Sequence, residues 1–454
     1  MDPIHALSEH VVRTGYRDLT PAAIAATKTF LQDTIGVGVA GSAGPGVGDL
    51  VACLAGWGAA DEASVLAHGA RLPAPSAALA NAYQIHNSEF DCVHEGAVVH
   101  AMTAVAPAAL AHAERRGGVG GEELIAALAL GVDVACRIGA ASRAPLSFFR
   151  PGTAGGFGAA AAVSRLLGLD AAGVVRAMGL VYGQLCGTMQ AHTEGSSMLG
   201  LQVGFNARNA IAACDMAARG LPSVTGVLEG PFGFYRLFEG AHDAGAVTAA
   251  LGREWRIAEL SHKPYPSGRA THGIVDGLLE LRRRVGFGPD DVERVTAAVP
   301  PLVRHLVGRP VAAGAETSYA RLCAAFVGAR ALVRGAVELD DFGPEARGHA
   351  ATLALARRFA MEVDGNRDPN ALGPVTVTAV LRDGSRHQTR VSRMYGSPGN
   401  PMSRDAHLAK LRRNWVSGAR RLDEAGAEAL IRLIDDLEAV PDVREVVRLA
   451  RAPA

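Results

Sequence analysis

The chain of 454 residues carries 45 basic and 45 acidic side chains, so its formal net charge is zero. A neutral chain without a basic block is a poor match to nucleic acid or to an anionic membrane surface, and we expect neither as a partner. With 49% hydrophobic residues, its length exceeds what one ordinary core accommodates, which predicts two domains.

The cysteines and the N-terminal residues indicate the cellular compartment in which we expect the protein. Six cysteines are scattered without a CxxC pair, which is typical of free thiols in a reducing compartment. The first twenty residues contain an early acid and no apolar core, unlike a secretory signal. No uninterrupted apolar run reaches about eighteen residues, so we expect a cytoplasmic protein without a membrane span.

Residues 1–260 have the pattern of successive helices. Thr20 followed by Pro21 predicts a helix start, and apolar residues recur behind it at Ile24, Phe30 and Ile35. Glycines separate the later helical stretches, and alanine and glycine dominate within them. Small residues let helices approach closely, so this part is predicted to be a tightly packed, all-α domain.

The pattern changes after about residue 287. The stretches DDVERVTAAVPP and GPVTVTAVLRDGSRHQTRV alternate as strands do, and the second is predicted to turn back through a two-residue hairpin at Asp383-Gly384. A helical pattern lies between them, and Ser403 begins an amphipathic helical tail. We predict a mainly α fold: a discontinuous all-helical domain of residues 1–268 and 400–454, and a smaller α+β domain of residues 269–399.

A first group of polar residues lies between residues 86 and 100. Its members are His86, Glu89, Asp91, His94, Glu95 and His100. Histidine next to carboxylate suits general acid–base chemistry, because imidazole titrates near neutral pH and a carboxylate can orient it. A polar loop leading into a buried helix explains the pattern about equally well. The spacing matches no zinc motif, so we expect no metal.

A second group lies in SHKPYPSGRATHGIVDG, residues 261–277. Lys263, Arg269 and His272 precede or begin a helix predicted to start near Thr271. A helix N-terminus attracts carboxylates through its free N–H groups and partial positive charge. The stretch therefore predicts a site for an anionic small molecule, and the alternative is a linker with solvated charges.

These stretches, with others along nearly the whole chain, resemble the MmgE/PrpD family, which includes 2-methylcitrate dehydratase, cis-aconitate decarboxylase and iminodisuccinate epimerase. The matching motifs are Glu89-Phe90-Asp91 with His100, Lys263 with Tyr265-Pro266, Thr271-His272, and GSPGNPMS at residues 396–403. The resemblance implies a large helical domain plus a smaller α+β domain with the site in the cleft between them. It also implies a homodimer that needs no organic cofactor.

Some positions depart from the family pattern. Arg150 stands where dehydratase and decarboxylase members tend to have a histidine, and Leu199 and Gln202 stand where they tend to have a lysine and a histidine. Cys92 replaces the second aspartate of the acid block. These differences leave the substrate open.

The resemblance implies removal of a proton next to a carboxylate of a small di- or tricarboxylate. We expect a lyase of the dehydratase type, with an epimerase or a decarboxylase as alternative enzymes and a non-catalytic binding protein as the alternative from another class. His100 is predicted as the base, oriented by Asp91, and Lys263 as the acid and electrostatic stabiliser. The predicted substrate-binding residues are Arg150, Arg269, His272, Tyr265, His94 and Ser267.

Overall fold

The computed structural model of the chain describes residues 2–452, and helices dominate its first 260 residues. Thr20 caps the second helix as predicted, since its hydroxyl accepts the Ala23 N–H at 3.2 Å. The helices of this part are α1 (Ile4–Arg13), α2 (Pro21–Gly41), α3 (Val47–Gly56), α4 (Ala74–His86), α5 (Ala101–Arg116), α6 (Gly121–Ala140), α7 (Arg150–Leu167), α8 (Ala171–Tyr182), α9 (Gln190–Glu194), α10 (Met198–Ala218) and α11 (Ala244–Thr248). Two short strands, β1 (Ala63–Ser64) and β2 (Arg71–Leu72), form an antiparallel pair of their own.

Small residues bring the long helices together, as the composition predicts. A Cβ at Gly158 of α7 would lie 2.4 Å from the backbone oxygen of Gly131 on α6, so neither residue can carry a side chain without moving a backbone. The packed helices α4, α5, α6, α7 and α10 form the centre of one extensive apolar core.

The smaller part contains a four-stranded sheet in the order β4-β3-β5-β6. Strands β3 and β4 are parallel, whereas β3–β5 and β5–β6 are antiparallel. The strands are β3 (Val292–Val299), β4 (Phe359–Val363), β5 (Val375–Leu381) and β6 (Arg386–Val391). The helices are α12 (Arg269–Val285), α13 (Pro301–Val307), α14 (Thr317–Arg321), α15 (Ala324–Arg334), α16 (Pro344–Gly348) and α17 (Ala350–Ala356). This mainly α, two-part architecture confirms the predicted fold class.

The hairpin between β5 and β6 differs in one detail from its prediction. The Leu381 N–H donates to the Ser385 carbonyl at 2.9 Å, which leaves three residues in the turn rather than two. Gly384, the last of the three, has φ +84°, the left-handed conformation that three-residue hairpin loops place at this position.

Helix α12 lies directly on the sheet because two glycines face it. A Cβ at Gly273 would meet Val375, and one at Gly277 would meet Val377, each at 2.7 Å from a side-chain carbon. This close approach fixes the helix, and with it the position of the helix N-terminus that faces the helical part.

The C-terminal tail returns to helix and packs on the first part of the chain. It contains α18 (Arg404–Trp415), α19 (Glu424–Asp435) and α20 (Arg444–Leu449), and the hydroxyl of Ser403 accepts the Ala406 N–H as a helix cap. Trp415, Leu430 and Ile434 are buried in the same core as the N-terminal helices. The boundaries 1–268 with 400–454, and 269–399, stay predictions.

No described helix has both the length and the apolar character needed to cross a membrane. All six cysteines lie within residues 2–452 and are free, as predicted.

Candidate active site

The segment between α4 and α5, residues 87–100, is held in an unusual conformation. Glu89 and Val98 have φ values of +51° and +54°, a region that costs residues other than glycine about 1–3 kcal/mol each. Isolated antiparallel bridges join Val93 to Ser261 and His94 to Val99, which tie the segment to itself and to the stretch before α12. The two polar groups noted in the sequence are therefore neighbours in space.

Asp91 is the centre of this cluster. Its Oδ2 atom accepts hydrogen bonds from Nδ1 of His86 at 2.9 Å, from Nδ1 of His100 at 3.0 Å and from the Thr103 hydroxyl at 2.5 Å. Asp91 is 1% exposed, so these bonds form away from bulk water, where they are strongest. One carboxylate thereby orients two imidazoles and leaves the Nε2 atom of each ring for proton exchange.

Lys263 contacts the carboxylates of this cluster. Its Nζ donates to Glu89 Oε2 at 2.8 Å and to the Glu89 carbonyl at 3.2 Å, and lies 3.5 Å from Asp91 Oδ1. The side chain is fully buried. Lys263 and His100, which are far apart in the sequence, thus both contact Asp91.

The two imidazoles on Asp91 differ in acidity. Burial lowers the pKa of His100, and the nearby Lys263 ammonium adds to this, so the effect of Asp91 is outweighed. Burial also acts on His86, but there the negative charges of Asp91 and Glu89 prevail and the pKa is raised. Two groups whose pKa values are driven apart are suited to act as a base and an acid, and here the lowered pKa belongs to His100 and the raised one to His86.

The carboxylates of the cluster remain ionised despite their burial. Burial by itself would raise the pKa of Glu89, but Lys263 and the two imidazoles lower it to about 2. The same cations hold the pKa of Asp91 well below its ordinary value. The cluster therefore contains two fixed negative charges that balance the cations around them.

A cavity of about 60 Å³ opens in front of the two imidazoles. His86, Glu89, His100, His192 and Arg269 contribute polar groups to its wall. Apolar side chains complete the lining, among them Val93, Val98, Leu146, Phe149, Leu306 and Leu322. A larger groove of about 510 Å³ beside β4 has no histidine or carboxylate in its lining, so the smaller cavity is the candidate site.

The N-terminus of α12 forms one side of the cavity, with Gly268, Arg269 and Ala270 in the wall. The helix begins at Arg269, two residues before the predicted start. The Arg269 guanidinium already bonds Glu95 through Nε at 2.9 Å and the Tyr395 carbonyl through Nη1 at 2.8 Å. The cavity thus presents a helix N-terminus and an arginine whose charge is partly compensated.

Three other predicted binding residues lie behind this helix end instead of in the cavity wall. The buried His272 ring accepts from Arg269 at Nδ1 and donates to the Ser267 carbonyl from Nε2, each at 3.2 Å. The Ser267 hydroxyl pairs with that of Thr271, and the Tyr265 hydroxyl donates to Asp276. These groups support the loop before α12, and direct contact with a substrate stays a prediction that the cavity wall does not support.

The side chains of His94 and Arg150 are hydrogen-bonded to protein groups outside the cavity. Nε2 of His94 bonds Glu259 at 2.9 Å, and its Nδ1 accepts the Ala97 N–H. The fully buried Arg150 guanidinium is occupied as well. Its partners are Glu239, Asn370, Ser142 and the carbonyl of Ala144. Neither side chain lines the cavity, although the neighbours of Arg150, Phe149 and Pro151, do.

The structure adds two residues to those assigned roles from the sequence. His86 belongs to the first polar group, but spacing alone does not distinguish its role from that of His94. His192 comes from the distant α9, is 6% exposed, and has a pKa lowered to about 4 by burial and by Arg309. No local pattern connects α9 to the segment 87–100, so only the fold could reveal His192.

The C-terminal tail also reaches this site. Lys410 on α18 donates to the carbonyl of Phe90 at 2.9 Å, and its Nζ lies 2.8 Å from Asp33 Oδ1 and 4.0 Å from the centre of the Phe90 ring. Phe90 lies between Glu89 and Asp91. Lys410 therefore holds the backbone of the acid block from behind.

His86, Asp91 and His100 are close enough to be considered as metal ligands. Their facing atoms, however, are joined by direct hydrogen bonds on a single carboxylate oxygen. A metal ion would have to break both bonds, so the arrangement suits proton transfer better than metal binding.

Comparisons with known proteins match both parts of the chain to one family. Residues 5–246 match the MmgE/PrpD N-terminal domain and residues 265–439 match the MmgE/PrpD C-terminal domain. The cis-aconitate decarboxylase-like protein oryM of Aspergillus oryzae is 26% identical over 95% of this chain and 94% of its own length. Human cis-aconitate decarboxylase is 24% identical over 99% of this chain and 94% of its own, and the Aspergillus terreus enzyme is 27% identical over 86% and 84%.

Proposed function

The chain belongs to the MmgE/PrpD family, and we propose that it is a lyase acting at the carbon next to a carboxylate of a small di- or tricarboxylate. The observation that carries the proposal is the pair of imidazoles, His86 and His100, on the single buried carboxylate of Asp91 beside a helix N-terminus. This arrangement combines proton transfer with a place for an anion.

Within that class we propose decarboxylation, because all three relatives described above are named for it. Breaking the bond between carbon and carboxylate releases CO₂ and leaves the electron pair on carbon. The His86 imidazolium can supply the proton that this carbon takes up, and Arg269 and the α12 N-terminus offset the negative charge that develops.

Dehydration, the reaction expected first from the sequence, is the second candidate, because the pKa values of the two imidazoles are driven apart. In an elimination, neutral His100 would remove the proton from carbon while protonated His86 gives one to the departing hydroxyl. In either reaction Lys263 acts as the fixed positive charge that keeps Glu89 and Asp91 ionised, since its ammonium does not line the cavity.

A cavity of about 60 Å³ is small for a tricarboxylate, so we expect its wall near His192 to move when substrate binds. We also propose a cytoplasmic homodimer that needs no organic cofactor, and sedimentation of the purified protein would test the dimer.

One experiment separates the candidate functions. The protein is incubated in deuterated water with cis-aconitate, with hydroxy-tricarboxylates and with small dicarboxylates, and products are followed by NMR. Release of CO₂ supports decarboxylation, and loss of water to an unsaturated product supports dehydration. Deuterium exchange without elimination indicates the epimerase alternative, and thermal stabilisation without any reaction indicates a binding protein.

Two variants test the residues. His100→Asn and His86→Asn should each lower kcat by roughly 10²–10⁴-fold, the usual effect of removing a general acid or base. His112→Asn is the matched control, because His112 is also a buried histidine but lies outside the cavity wall. Equal activity of the His86 variant and this control would contradict the acid–base assignment.

A further inference from the structure

A second group of buried polar side chains lies behind the candidate site and is not used by the proposed reaction. Asp33 comes from α2, His262 from the stretch before α12, and His407 from α18. One donor atom of each lies within 4.8 Å of the others, and the three residues are at most 8% exposed. The proposed chemistry does not need this group, so it requires an explanation of its own.

Each of the three side chains has a buried polar atom without a hydrogen-bond partner. These atoms are Oδ2 of Asp33, Nε2 of His262 and Nδ1 of His407. A buried polar atom left unpaired costs about 1–3 kcal/mol, and native proteins contain few of them. Three on one small group indicate that a bound species completes their coordination.

The protonation state of His407 follows from its neighbour Gln32. The Gln32 amide nitrogen donates to the Ile431 carbonyl at 3.2 Å and to Asp435 at 3.0 Å, so the amide oxygen must face His407. That oxygen lies 3.1 Å from Nε2 of His407, which therefore carries the proton. Nδ1 of the neutral ring then presents a lone pair to the group.

The second imidazole also has an unpaired nitrogen. A proton on His262 Nε2 or on His407 Nδ1 would find no acceptor in hydrogen-bond geometry, and Oδ2 of Asp33 receives no hydrogen bond. With a lone pair on each of these nitrogens the group offers three electron donors, which suits a cation.

We propose that Asp33, His262 and His407 bind a divalent ion of the zinc class. Two imidazoles and one carboxylate are ligands that such borderline metals prefer, whereas Mg²⁺ prefers oxygen alone. Bonds of about 2.0–2.2 Å require the donor atoms to approach one another by roughly 1 Å, a side-chain adjustment. Gln32 would then be the outer partner that fixes the ligand tautomer of His407.

Lys410 is compatible with this assignment, because its ammonium pairs with Oδ1 of Asp33 while Oδ2 is unpartnered. The ion would join α2, α18 and the residue that precedes Lys263. It would thus act structurally, at the rear of the candidate site, and the inference does not depend on the proposed reaction.

The test measures metal content directly. The full-length protein is treated with EDTA, incubated with a small excess of Zn²⁺, passed through a desalting column and measured by elemental analysis. We expect about one zinc ion per chain and a rise in melting temperature with Zn²⁺ but not with Mg²⁺. Less than stoichiometric zinc, or equal stabilisation by both ions, would overturn the proposal.

Variants locate the ion. His407→Gln should lose the zinc, and Gln32→Leu should weaken its affinity by roughly 10–100-fold, as removal of an outer partner usually does. His112→Gln, which removes a buried histidine elsewhere, should retain it. The Gln32 variant leaves all three proposed ligands in place, so it remains informative if the His407 variant fails to fold. Zinc bound unchanged by His407→Gln would place the ion at another site and refute the assignment.

Discussion

The replacement Asp91→Asn tests the central feature of the site with little change in shape. In the wild type, one oxygen of Asp91 accepts from His86, His100 and Thr103, while the other lies 3.5 Å from the Lys263 ammonium. An asparagine oxygen can still accept from the imidazoles, but the side chain no longer carries a charge. Its NH₂ group then faces Lys263, so that one donor lies against another.

The size of the effect on stability follows from the hydrogen bonds that Asp91 accepts. Hydrogen bonds to a charged group contribute about 1.5–3 kcal/mol each, and three of them converge on Asp91. Removing one member of a buried charge network typically costs about 3–5 kcal/mol, because the remaining charges lose their compensation. We expect the free energy of unfolding to fall by about this amount.

The same change should lower the pKa of His86, which is raised in the wild type. Asp91 is the largest of the influences that raise the pKa of this imidazole against the effect of burial. Without the negative charge, burial and Lys263 should lower the His86 pKa, and the proposed acid would be lost. We therefore expect kcat to fall by roughly 10²–10⁴-fold.

Two measurements check the changes in His86 pKa and in stability, and neither needs a substrate. NMR titration of the histidine side chains gives the pKa of His86 in wild type and variant, and denaturant unfolding at neutral pH gives the loss of stability. Asp276→Asn is the matched control, since Asp276 is a largely buried carboxylate that accepts a hydrogen bond from Tyr265 outside the cavity wall. If His86 titrates identically in wild type and Asp91→Asn, the proposed electrostatic balance is wrong.

Three other changes give distinct outcomes. Glu89→Gln should change how the free energy of unfolding depends on pH. The folded-state pKa of Glu89 is lowered from 4.5 to about 2, so between these values the folded state binds fewer protons than the unfolded state. The stabilisation that the ionised carboxylate provides is therefore lost as pH falls through this range. The difference in unfolding free energy between wild type and variant should shrink as pH falls from 4.5 to about 2, and a constant difference would contradict the assignment. Trp415→Ala should lower the free energy of unfolding by about 3–5 kcal/mol, because this side chain is fully buried in the core shared by the tail and the first helices. A loss below about 1 kcal/mol would mean that the tail contributes little to that core. Gly277→Ala should destabilise the folded protein by about 1–3 kcal/mol despite the better helix propensity of alanine, since the new Cβ would lie 2.7 Å from a Val377 side-chain carbon. A stabilised variant would show that α12 shifts freely on the sheet.

Much of the fold could be predicted because its local signals are strong. Thr20 and Ser403 cap helices where the sequence places them, and the alternating residues of β5 and β6 form the expected hairpin. Strand β4 escapes prediction, because it is a short edge strand whose residues are mostly exposed and do not alternate clearly. Its parallel pairing with β3 depends on a long connection that no local pattern describes.

The site was predictable in part for a similar reason. Asp91 and His100 lie in one short segment, and Lys263 lies in the other cation-rich one, so their residue types and the family resemblance indicated them. The partners of Arg150 and His94 could not be read from the sequence, because Glu239 and Glu259 reach them only through the fold. Likewise, His192 joins the cavity through packing of α9, which sequence spacing does not encode.

The Lys410–Phe90 contact has a consequence for how the polypeptide could be divided. The backbone of the acid block is held by a lysine 320 positions later in the chain. Cutting the gene near residue 260 would therefore yield a first fragment that contains both imidazoles but neither Lys263 nor Lys410. Adding back residues 261–399 would restore only Lys263. Complementation between co-expressed fragments should then require a second fragment that continues through α18, and this requirement would make the tail part of the smallest functional unit.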